Sequence, residues 1–303
     1  MALEDHGAAD HSGGHRQSMS DSDMRERPDR SHRAAGAVFD LFAAKLLRPL
    51  LRPGTVRRSS LIERLARGDR RPIVSVVEPA GYGKTTLLSQ WAECNGQAFA
   101  WVSVDEGDND PKVLLAYVAE ALDAVEPIDG RVFDALASPV SSVPGSVVPR
   151  LGSAFSSMTS PVVLLLDDVH TLHNRECRAA VSVLADHVPA GSRLVLAGRA
   201  EPPLRIARLR AEGRILEIGP GDLSLTPGEA SSLLRNADVA LSEDEVAELH
   251  RRTEGWPGRR RCWRTWSGRT CCWCRWTGTG SGTATITCSG KCCWRSCTGW
   301  SPG

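Results

Sequence analysis

The chain has 303 residues, of which 41% are hydrophobic, and its 37 basic and 36 acidic side chains give a formal net charge of +1. This length allows a well-buried core in one large or two smaller domains. The charge is uneven, because residues 259–303 hold eight basic and no acidic side chains, whereas residues 1–258 carry a net charge of −7. A mildly acidic body lacks the basic surface that is typical of nucleic-acid-binding domains.

The N-terminal pattern also lacks the basic and then apolar design of a signal peptide, and the apolar runs are far shorter than the ~20 residues of a membrane helix. Only Cys94 and Cys177 precede residue 259, which fits a reducing compartment. We therefore expect a soluble, cytoplasmic protein without a membrane partner.

Residues 1–36 are rich in Asp, Ser, Arg, Gly and His, so we expect a disordered N-terminal tail. Its histidines lack the spacing of metal ligands, and a solvated tail is the preferred interpretation. Amphipathic patterns follow at Val38–Leu51 and Ser59–Ala66. The basic connector between them, Arg52–Arg58, is interpreted either as a nucleotide contact or as a solvated loop.

The stretch Ile73–Trp91 predicts a strand, a glycine loop and a helix in that order. Backbone N–H groups at such a helix start converge on a phosphate, and the helix dipole favours its negative charge. Lys84 can reach the β and γ oxygens, and Thr85 can offer its hydroxyl to Mg²⁺. The predicted nucleotide-binding residues of the loop are Pro79, Ala80, Gly81, Tyr82, Gly83, Lys84, Thr85 and Thr86.

Glu78 departs from the usual G-x-x-x-x-G-K-[ST] pattern, because it occupies the position of the first glycine. A carboxylate near a triphosphate is repulsive unless it turns away or pairs. The sequence leaves the effect of Glu78 on nucleotide affinity open.

After the loop, Ala98–Val104 predicts a second buried strand, and the acidic run Asp105–Asp110 a turn into a helix over Pro111–Leu122. Residues 124–146 contain three prolines among small residues and predict a looser connection. A helix over Val147–Met158 is predicted next.

The unbroken apolar run that begins at Val162 ends in two carboxylates, Asp167 and Asp168, and indicates a strand buried on both faces of a parallel sheet. At the carboxyl end of such a strand, Asp167 would hold Mg²⁺, and Asp168 could orient or deprotonate the attacking water. His170 and His173 follow, and a hydrogen-bonding role is favoured over metal ligation because further ligands are not found.

A helix over Arg175–His187 and a strand over Ser192–Ala197 are predicted next. If this strand lies between the glycine-loop strand and the Asp-Asp strand, the following Arg199 faces the γ-phosphate and can sense or stabilise its charge. The alternative is a surface arginine in a turn.

Leu204–Glu212 predicts a helix, and Arg214–Ile218 predicts a final strand. Capping boxes at Thr226 and Ser242 then begin two helices, which we assign to a small helical subdomain. The expected organisation is a three-layer αβα nucleotide-binding domain over residues 37–221, with a parallel sheet, followed by a partial helical subdomain over 222–258.

With these residues in place, the chain resembles the STAND class of signal-transduction ATPases, which have the P-loop NTPase fold. Within that class it is similar to the large LuxR-type bacterial regulators typified by the maltose-regulon activator. The matches occur in family order: PAGYGKTTLLSQWAE at Pro79–Glu93, WVSVDEGDND at Trp101–Asp110, LLLDDVHTL at Leu164–Leu172, GR at Gly198–Arg199 and TEGWPG at Thr253–Gly258.

The resemblance implies an ATP-driven switch, in which ATP and an inducer favour an active oligomer and slow hydrolysis resets it. It also implies that Pro257 lies near the adenine. The winged-helix, inducer-sensing and helix-turn-helix regions of the family are not found in this sequence, so we do not expect specific DNA binding, and we interpret the chain as a truncated regulator.

From Arg259 onward the sequence uses almost only Arg, Cys, Trp, Thr, Ser and Gly. Folded domains are not built that way. Cys271-Cys272-Trp273 resembles a leucine run read out of frame in a GC-rich gene. We therefore interpret residues 259–303 as a disordered tail that follows a frameshift at or just after Gly258. A zinc or disulfide module is the weaker alternative, because the C-x-x-C spacing of Cys271 and Cys274 has no second pair.

The sequence therefore predicts an ATP- and Mg²⁺-binding module with weak ATPase activity. Lys84, Asp168 and Arg199 are its catalytic candidates, and self-association through the nucleotide-binding domain is expected. A small-molecule kinase of the P-loop class and a nucleotide-binding oligomerisation module without hydrolysis are the alternatives.

Overall fold

The computed structural model describes residues 41–67 and 71–257, and two further strands at 274–277 and 285–288. All of them belong to one unit, Val38–Gly303. The predictions for residues 1–36 and for the junction at Gly258 lie outside the described residues. Within the Cys-rich tail, β6 (Cys274–Thr277) pairs antiparallel with β7 (Thr285–Cys288), and the rest of the tail also lies outside them.

The main sheet has five parallel strands in the order β2-β3-β4-β1-β5. Every residue of β3 is buried, because helices cover both faces of the sheet. The predicted strands and the predicted α/β class with a parallel sheet are confirmed. The strands are β1 (Ile73–Val77), β2 (Ala98–Ser103), β3 (Val162–Asp167), β4 (Arg193–Gly198) and β5 (Ile215–Ile218).

Alternate residues of the strands point into two separate cores, because side chains alternate between the faces of a sheet. On β3, Leu164 and Leu166 join the larger core, while Val163 and Leu165 join the core that contains Trp91. The fold is therefore a three-layer αβα sandwich.

Ten α-helices accompany the sheet in the described part of the chain, and none of them is long and apolar enough to cross a membrane. Helices α3 to α6 contribute to the larger core, and α1 and α2 to the other. The helices are α1 (Ser59–Arg67), α2 (Lys84–Cys94), α3 (Pro111–Asp123), α4 (Arg131–Ala137), α5 (Val148–Ser156), α6 (Arg175–Asp186), α7 (Ile206–Ala211), α8 (Pro220–Leu223), α9 (Pro227–Arg235) and α10 (Glu243–Thr253).

Two segments differ from the sequence predictions. The connection predicted over residues 124–146 contains α4, whose Val132, Ala135 and Leu136 are buried. In the described part of the first amphipathic segment only a 3₁₀ turn forms, Ala43–Leu46, and its Lys45 donates to the buried Asp108 at 2.8 Å. This tertiary ion pair has a sequence separation of 63 residues, so local periodicity could not reveal it.

Helices α9 and α10 share an apolar cluster of their own, to which Leu225, Leu233 and Leu249 belong. Both predicted capping boxes are present, since Thr226 bonds the Glu229 N–H and Ser242 bonds the Glu245 N–H. The helical part predicted to follow the sheet therefore forms in the described residues.

Arg58 connects this helical part to the sheet layer. Its buried guanidinium donates to the carbonyl oxygens of Asp222, Leu223 and Ser224, at 3.0, 2.8 and 3.0 Å, and pairs with Glu229 at 3.1 Å. The solvated-loop interpretation of the connector is wrong for Arg58, because carbonyl groups replace water around its guanidinium.

Gly255 closes the turn after α10 in a conformation that only glycine tolerates well. Its φ is +70°, and an added Cβ would lie 2.6 Å from the Leu225 carbonyl oxygen. The Gly255 carbonyl also accepts the Leu225 N–H at 2.8 Å, so the two chain segments cannot separate without losing a hydrogen bond.

We predict that Gly255→Ala lowers the free energy of unfolding by about 2 kcal/mol or more, from left-handed strain plus steric overlap. Gly228→Ala is the matched control, because its Cβ would meet nothing within 4 Å. In α9 that change should be neutral or stabilising. Urea unfolding of the full chain measures both, and equal stabilities of the two variants would contradict the prediction.

Candidate functional site

The site lies at the carboxyl ends of three neighbouring strands, β1, β4 and β3. The Glu78 N–H donates to the Gly198 carbonyl at 3.1 Å and extends the β1–β4 ladder by one residue. Because the sheet is parallel, the segments that leave these strands emerge at one edge. The glycine loop, the Asp167-Asp168 pair and Arg199 are thereby brought together.

The glycine loop adopts the geometry predicted for it. Gly81 and Gly83 have φ angles of 89° and 83°, which glycine adopts without strain. Helix α2 begins at Lys84 directly after Gly83, so its first N–H groups, which have no carbonyl partner within the helix, lie beside the loop. A concave row of N–H donors at a helix start is suited to an anion.

Lys84 is buried beneath this loop. Its ammonium donates to the carbonyl oxygens of Glu78 at 2.7 Å and Pro79 at 3.1 Å. Burial lowers the pKa of Lys84, and the nearby Arg199 adds to this effect, whereas Asp168 and Asp167 oppose it. Neutral backbone carbonyl groups at the base of the loop therefore hold the Lys84 ammonium.

Thr85 and Asp167 form a short contact across the site. The Thr85 hydroxyl donates to Asp167 Oδ2 at 2.6 Å, and Asp167 is only 3% exposed. Burial raises the pKa of Asp167, and the Thr85 hydrogen bond partly offsets that increase. A hydroxyl and a carboxylate at this separation fit a Mg²⁺ ion that takes its remaining oxygen ligands from phosphate and water.

Asp168 turns the chain sharply at the end of β3. Its φ of 59° is left-handed, and its carboxylate is 48% exposed. His170 Nδ1 lies 3.6 Å from Asp168 Oδ1, beyond hydrogen-bond distance, and is buried without a hydrogen-bond partner among the described residues. Burial lowers the pKa of His170, while Asp168 raises it. Two adjacent carboxylates thus have different surroundings, one buried and one open.

Arg199 is exposed at the end of β4, which lies between β1 and β3 as the sequence analysis required. Its charge acts on both Lys84 and His170. Gly198, which precedes Arg199, lets the backbone of His170 pack closely against the end of β4. A Cβ at Gly198 would lie only 3.3 Å from the His170 backbone nitrogen.

The segment after α10 contacts the glycine loop. The Trp256 indole N–H donates to the Ala80 carbonyl at 3.2 Å, and its ring stacks on Tyr82 with 6.0 Å between centroids. Pro257, which follows, is partly buried. The separation of 176 residues between Trp256 and Ala80 explains why local sequence reasoning missed this contact.

Glu78 is the unusual residue of the site. It is fully buried, and in the described part of the chain neither carboxylate oxygen has a hydrogen-bond partner. Burial raises its pKa from 4.5 to about 7, Lys84 opposes the increase, and Asp222 adds to it. The sequence identified Glu78 as a departure from the pattern, but not that it would be buried without such a partner.

No family model matches the chain. The MalT transcriptional regulator of Serratia proteamaculans (strain 568) is 32% identical over 218 residues, which are 71% of this chain and 24% of that protein. MalT of Klebsiella pneumoniae (strain 342) and of Yersinia enterocolitica are each 30% identical with the same coverage. The chain is homologous to the N-terminal portion of the MalT regulators. It spans about a quarter of the length of these curated relatives.

Similarity to solved structures is weaker. The Walker-type ATPase PABY2304 of Pyrococcus abyssi gives a TM-score of 0.43 at 14% identity, with coverage of 69% of this chain and 68% of that one. A DNA replication initiation factor gives 0.34 at 15% identity, with coverage of 75% and 70%. The five-stranded parallel sheet and the succession of strand β1, glycine loop and helix α2 give the chain the P-loop NTPase fold.

We predict that Glu78→Gln changes how stability depends on pH. Between pH 4.5 and about 7, Glu78 is protonated in the folded protein and ionised in the unfolded chain. The wild-type free energy of unfolding therefore falls as pH rises through this window. The variant lacks this titration. Relative to it, the wild type should lose at most about 3 kcal/mol between pH 4.5 and 8.

Urea unfolding of both full-length proteins at several pH values measures this difference, because all other titrations are common to the pair. Parallel stability profiles would show that Glu78 titrates normally in the folded state.

Proposed function

We propose that the chain binds ATP with Mg²⁺ through residues 79–86 and acts as a nucleotide-dependent switch module with weak ATPase activity. The observation that carries the proposal is the convergence of Lys84 with the Thr85–Asp167 pair below a loop of left-handed glycines. Lys84 and Thr85 begin α2, whereas Asp167 ends β3, so the convergence joins two distant segments of the chain and is not a local accident of one turn.

The residues of the site suit distinct parts of a nucleotide. The N–H groups at the start of α2 and the Lys84 ammonium would bind phosphate oxygens, and Lys84 would exchange its carbonyl partners for them. Thr85 and Asp167 would hold Mg²⁺, which neutralises phosphate charge when bound. Pro257 is proposed to lie near the adenine, since the adjacent Trp256 bonds the loop at Ala80.

Asp168 and Arg199 are proposed to support hydrolysis. The open carboxylate of Asp168 can orient water and accept its proton, which the buried Asp167 is less suited to do. Arg199, directly after β4, brings a second positive charge close enough to act on Lys84. A guanidinium there would stabilise charge on the transferred phosphoryl group.

The MalT relatives carry the name HTH-type transcriptional regulator, which describes those proteins in full. For this chain we propose only the nucleotide-dependent step, together with self-association through the nucleotide-binding domain. The proposed nucleotide site lies at the ends of three strands, β1, β4 and β3. Nucleotide binding there can shift the segments that follow these strands and so change the surface of the domain.

Lys84→Ala should weaken Mg·ATP binding by about a hundredfold or more, because a charged hydrogen-bond donor to phosphate is lost. The variant should stay folded, because Lys84 is buried at a cost that alanine removes. A fluorescent-nucleotide titration of the full chain measures affinity, and circular dichroism checks folding.

Lys112→Ala is the matched control, since Lys112 lies on α3 and donates to the Ser138 carbonyl, away from the glycine loop. Its affinity should equal that of the wild type. Equal affinity in wild type, Lys84→Ala and Lys112→Ala would remove the proposed site.

The two aspartates should respond differently to substitution by asparagine. Asp167→Asn should abolish the gain in nucleotide affinity that Mg²⁺ provides, because an amide replaces the anionic ligand. Asp168→Asn should retain Mg·ATP binding and lose about a hundredfold in hydrolysis rate, because the amide cannot accept a proton.

Binding titrations with and without Mg²⁺, and phosphate release at saturating ATP, give the two readouts. If both variants lose metal-dependent binding to the same extent, the division of roles is wrong. If the wild type binds Mg·ATP without any phosphate release, a module without hydrolysis is favoured.

A further inference from the structure

Glu78 has a position that no part of the proposed function uses. It lies at the junction of β1 and the glycine loop, and its own carbonyl accepts a hydrogen bond from Lys84. Its carboxyl group is fully buried and has no hydrogen-bond partner on either oxygen within the described residues. A buried carboxylate without partners is costly when charged, so the environment favours the protonated acid.

The charged groups around Glu78 come from several elements. Lys84 on α2 favours the ionised form of Glu78, and Asp222 on α8 disfavours it. Asp222 is itself paired with Arg64 of α1 at 2.5 Å. Beyond Lys84 lie Asp167 and Asp168 at the end of β3 and Arg199 at the end of β4.

We propose that Glu78 couples nucleotide binding to proton uptake, so that the loop takes Mg·ATP most tightly when the Glu78 carboxyl is protonated. This inference rests on the proposed binding of nucleotide by the same loop. The proton comes from solvent and is held as the carboxylic acid, and no covalent bond of the nucleotide changes.

Two physical effects act in the same direction. An ionised Glu78 attracts the Lys84 ammonium and so competes with the phosphates for it. It also adds a negative charge close to an anionic ligand in a poorly solvated region, where the repulsion is weakly screened. Because linkage is reciprocal, a ligand that favours the protonated carboxyl must bind more weakly as pH removes that proton.

The pH range follows from the burial of the carboxyl. With its pKa near 7, Glu78 passes from mostly protonated to mostly ionised between about pH 6 and pH 8. A glutamate with an ordinary pKa would be ionised throughout that range and would give no change. A small shift of pH around neutrality therefore alters the fraction of sites that are ready to bind.

The test compares the Mg·ATP dissociation constants of wild type and Glu78→Gln at half-unit steps from pH 6 to 8.5, using full-length protein. Titration of the nucleotide itself is common to both proteins and cancels in the ratio. We expect the ratio of the wild-type constant to the variant constant to rise severalfold across this range, toward the limit of about tenfold that a nucleotide-induced pKa change of one unit sets. A constant ratio overturns the proposal.

A second experiment measures proton uptake on binding. In the wild type this quantity does not depend on how well a glutamine side chain would pack at position 78. Calorimetric titration with Mg·ATP at pH 7.5, in two buffers with different heats of ionisation, gives the number of protons taken up on binding. We expect net uptake for the wild type and for Glu63→Gln, an exposed carboxylate control on α1, and less for Glu78→Gln. Equal uptake in all three proteins contradicts the role of Glu78.

The outcomes also separate this inference from the function on which it rests. If wild type and Lys84→Ala both fail to bind Mg·ATP at every pH, the proposed function fails. If the wild type binds in a Lys84-dependent way with a flat ratio to Glu78→Gln and no excess proton uptake, only the role of Glu78 fails.

Discussion

Parallel pairing of β1 with β4, and of β4 with β3, is the constraint on which the rest of the structure depends. These ladders place the ends of three strands at one edge, and polar or charged residues occupy that edge. Alternate residues of β3 enter two different cores, so a slip by one residue would exchange both cores at once. The relative positions of Glu78, Asp167 and Arg199 thus depend on the packing of apolar side chains in the two cores.

That geometry brings charged groups together, and three of them, Glu78, Lys84 and Asp167, are buried. Lys84 is buried, the charges of Asp167, Asp168 and Arg199 all act on it, and burial is the largest influence on its pKa. Hydrogen bonds to backbone carbonyls keep the ammonium in place, and these partners are given up more easily than a buried carboxylate would be. Glu78 has no such compensation from the described residues, and its carboxyl group therefore favours protonation near neutral pH.

The sequence predicted the parts of the fold that depend on local pattern. Strand β3 is an apolar run that ends in Asp167, β1 is a β-branched run interrupted only by Ser75, and the two capping boxes need only four residues each, so their positions followed from local sequence. From sequence alone, the position of β4 between β1 and β3 was only a condition for the role of Arg199. The strand order of the sheet meets that condition. The contacts that escaped prediction are distant in sequence: Lys45 with Asp108, and Arg58 with the carbonyls of Asp222 to Ser224. The periodicity of the sequence carries no information on such pairs, because a charged residue in a local pattern is equally compatible with a solvent-exposed position and with a buried ion pair.

The position of the helical part also depends on contacts between residues that are distant in sequence. Its apolar cluster is small, and a core of that size supplies little stability of its own. Arg58 bonds the carbonyl groups at the start of the helical part, the Leu225–Gly255 hydrogen bond joins its start to its end, and Trp256 bonds the glycine loop at Ala80. A displacement of the loop at Ala80 must therefore either break the Trp256 hydrogen bond or carry the segment after α10 along with it. Because Gly255, the residue before Trp256, accepts the Leu225 N–H, the glycine loop is joined to the start of the helical part through these two hydrogen bonds.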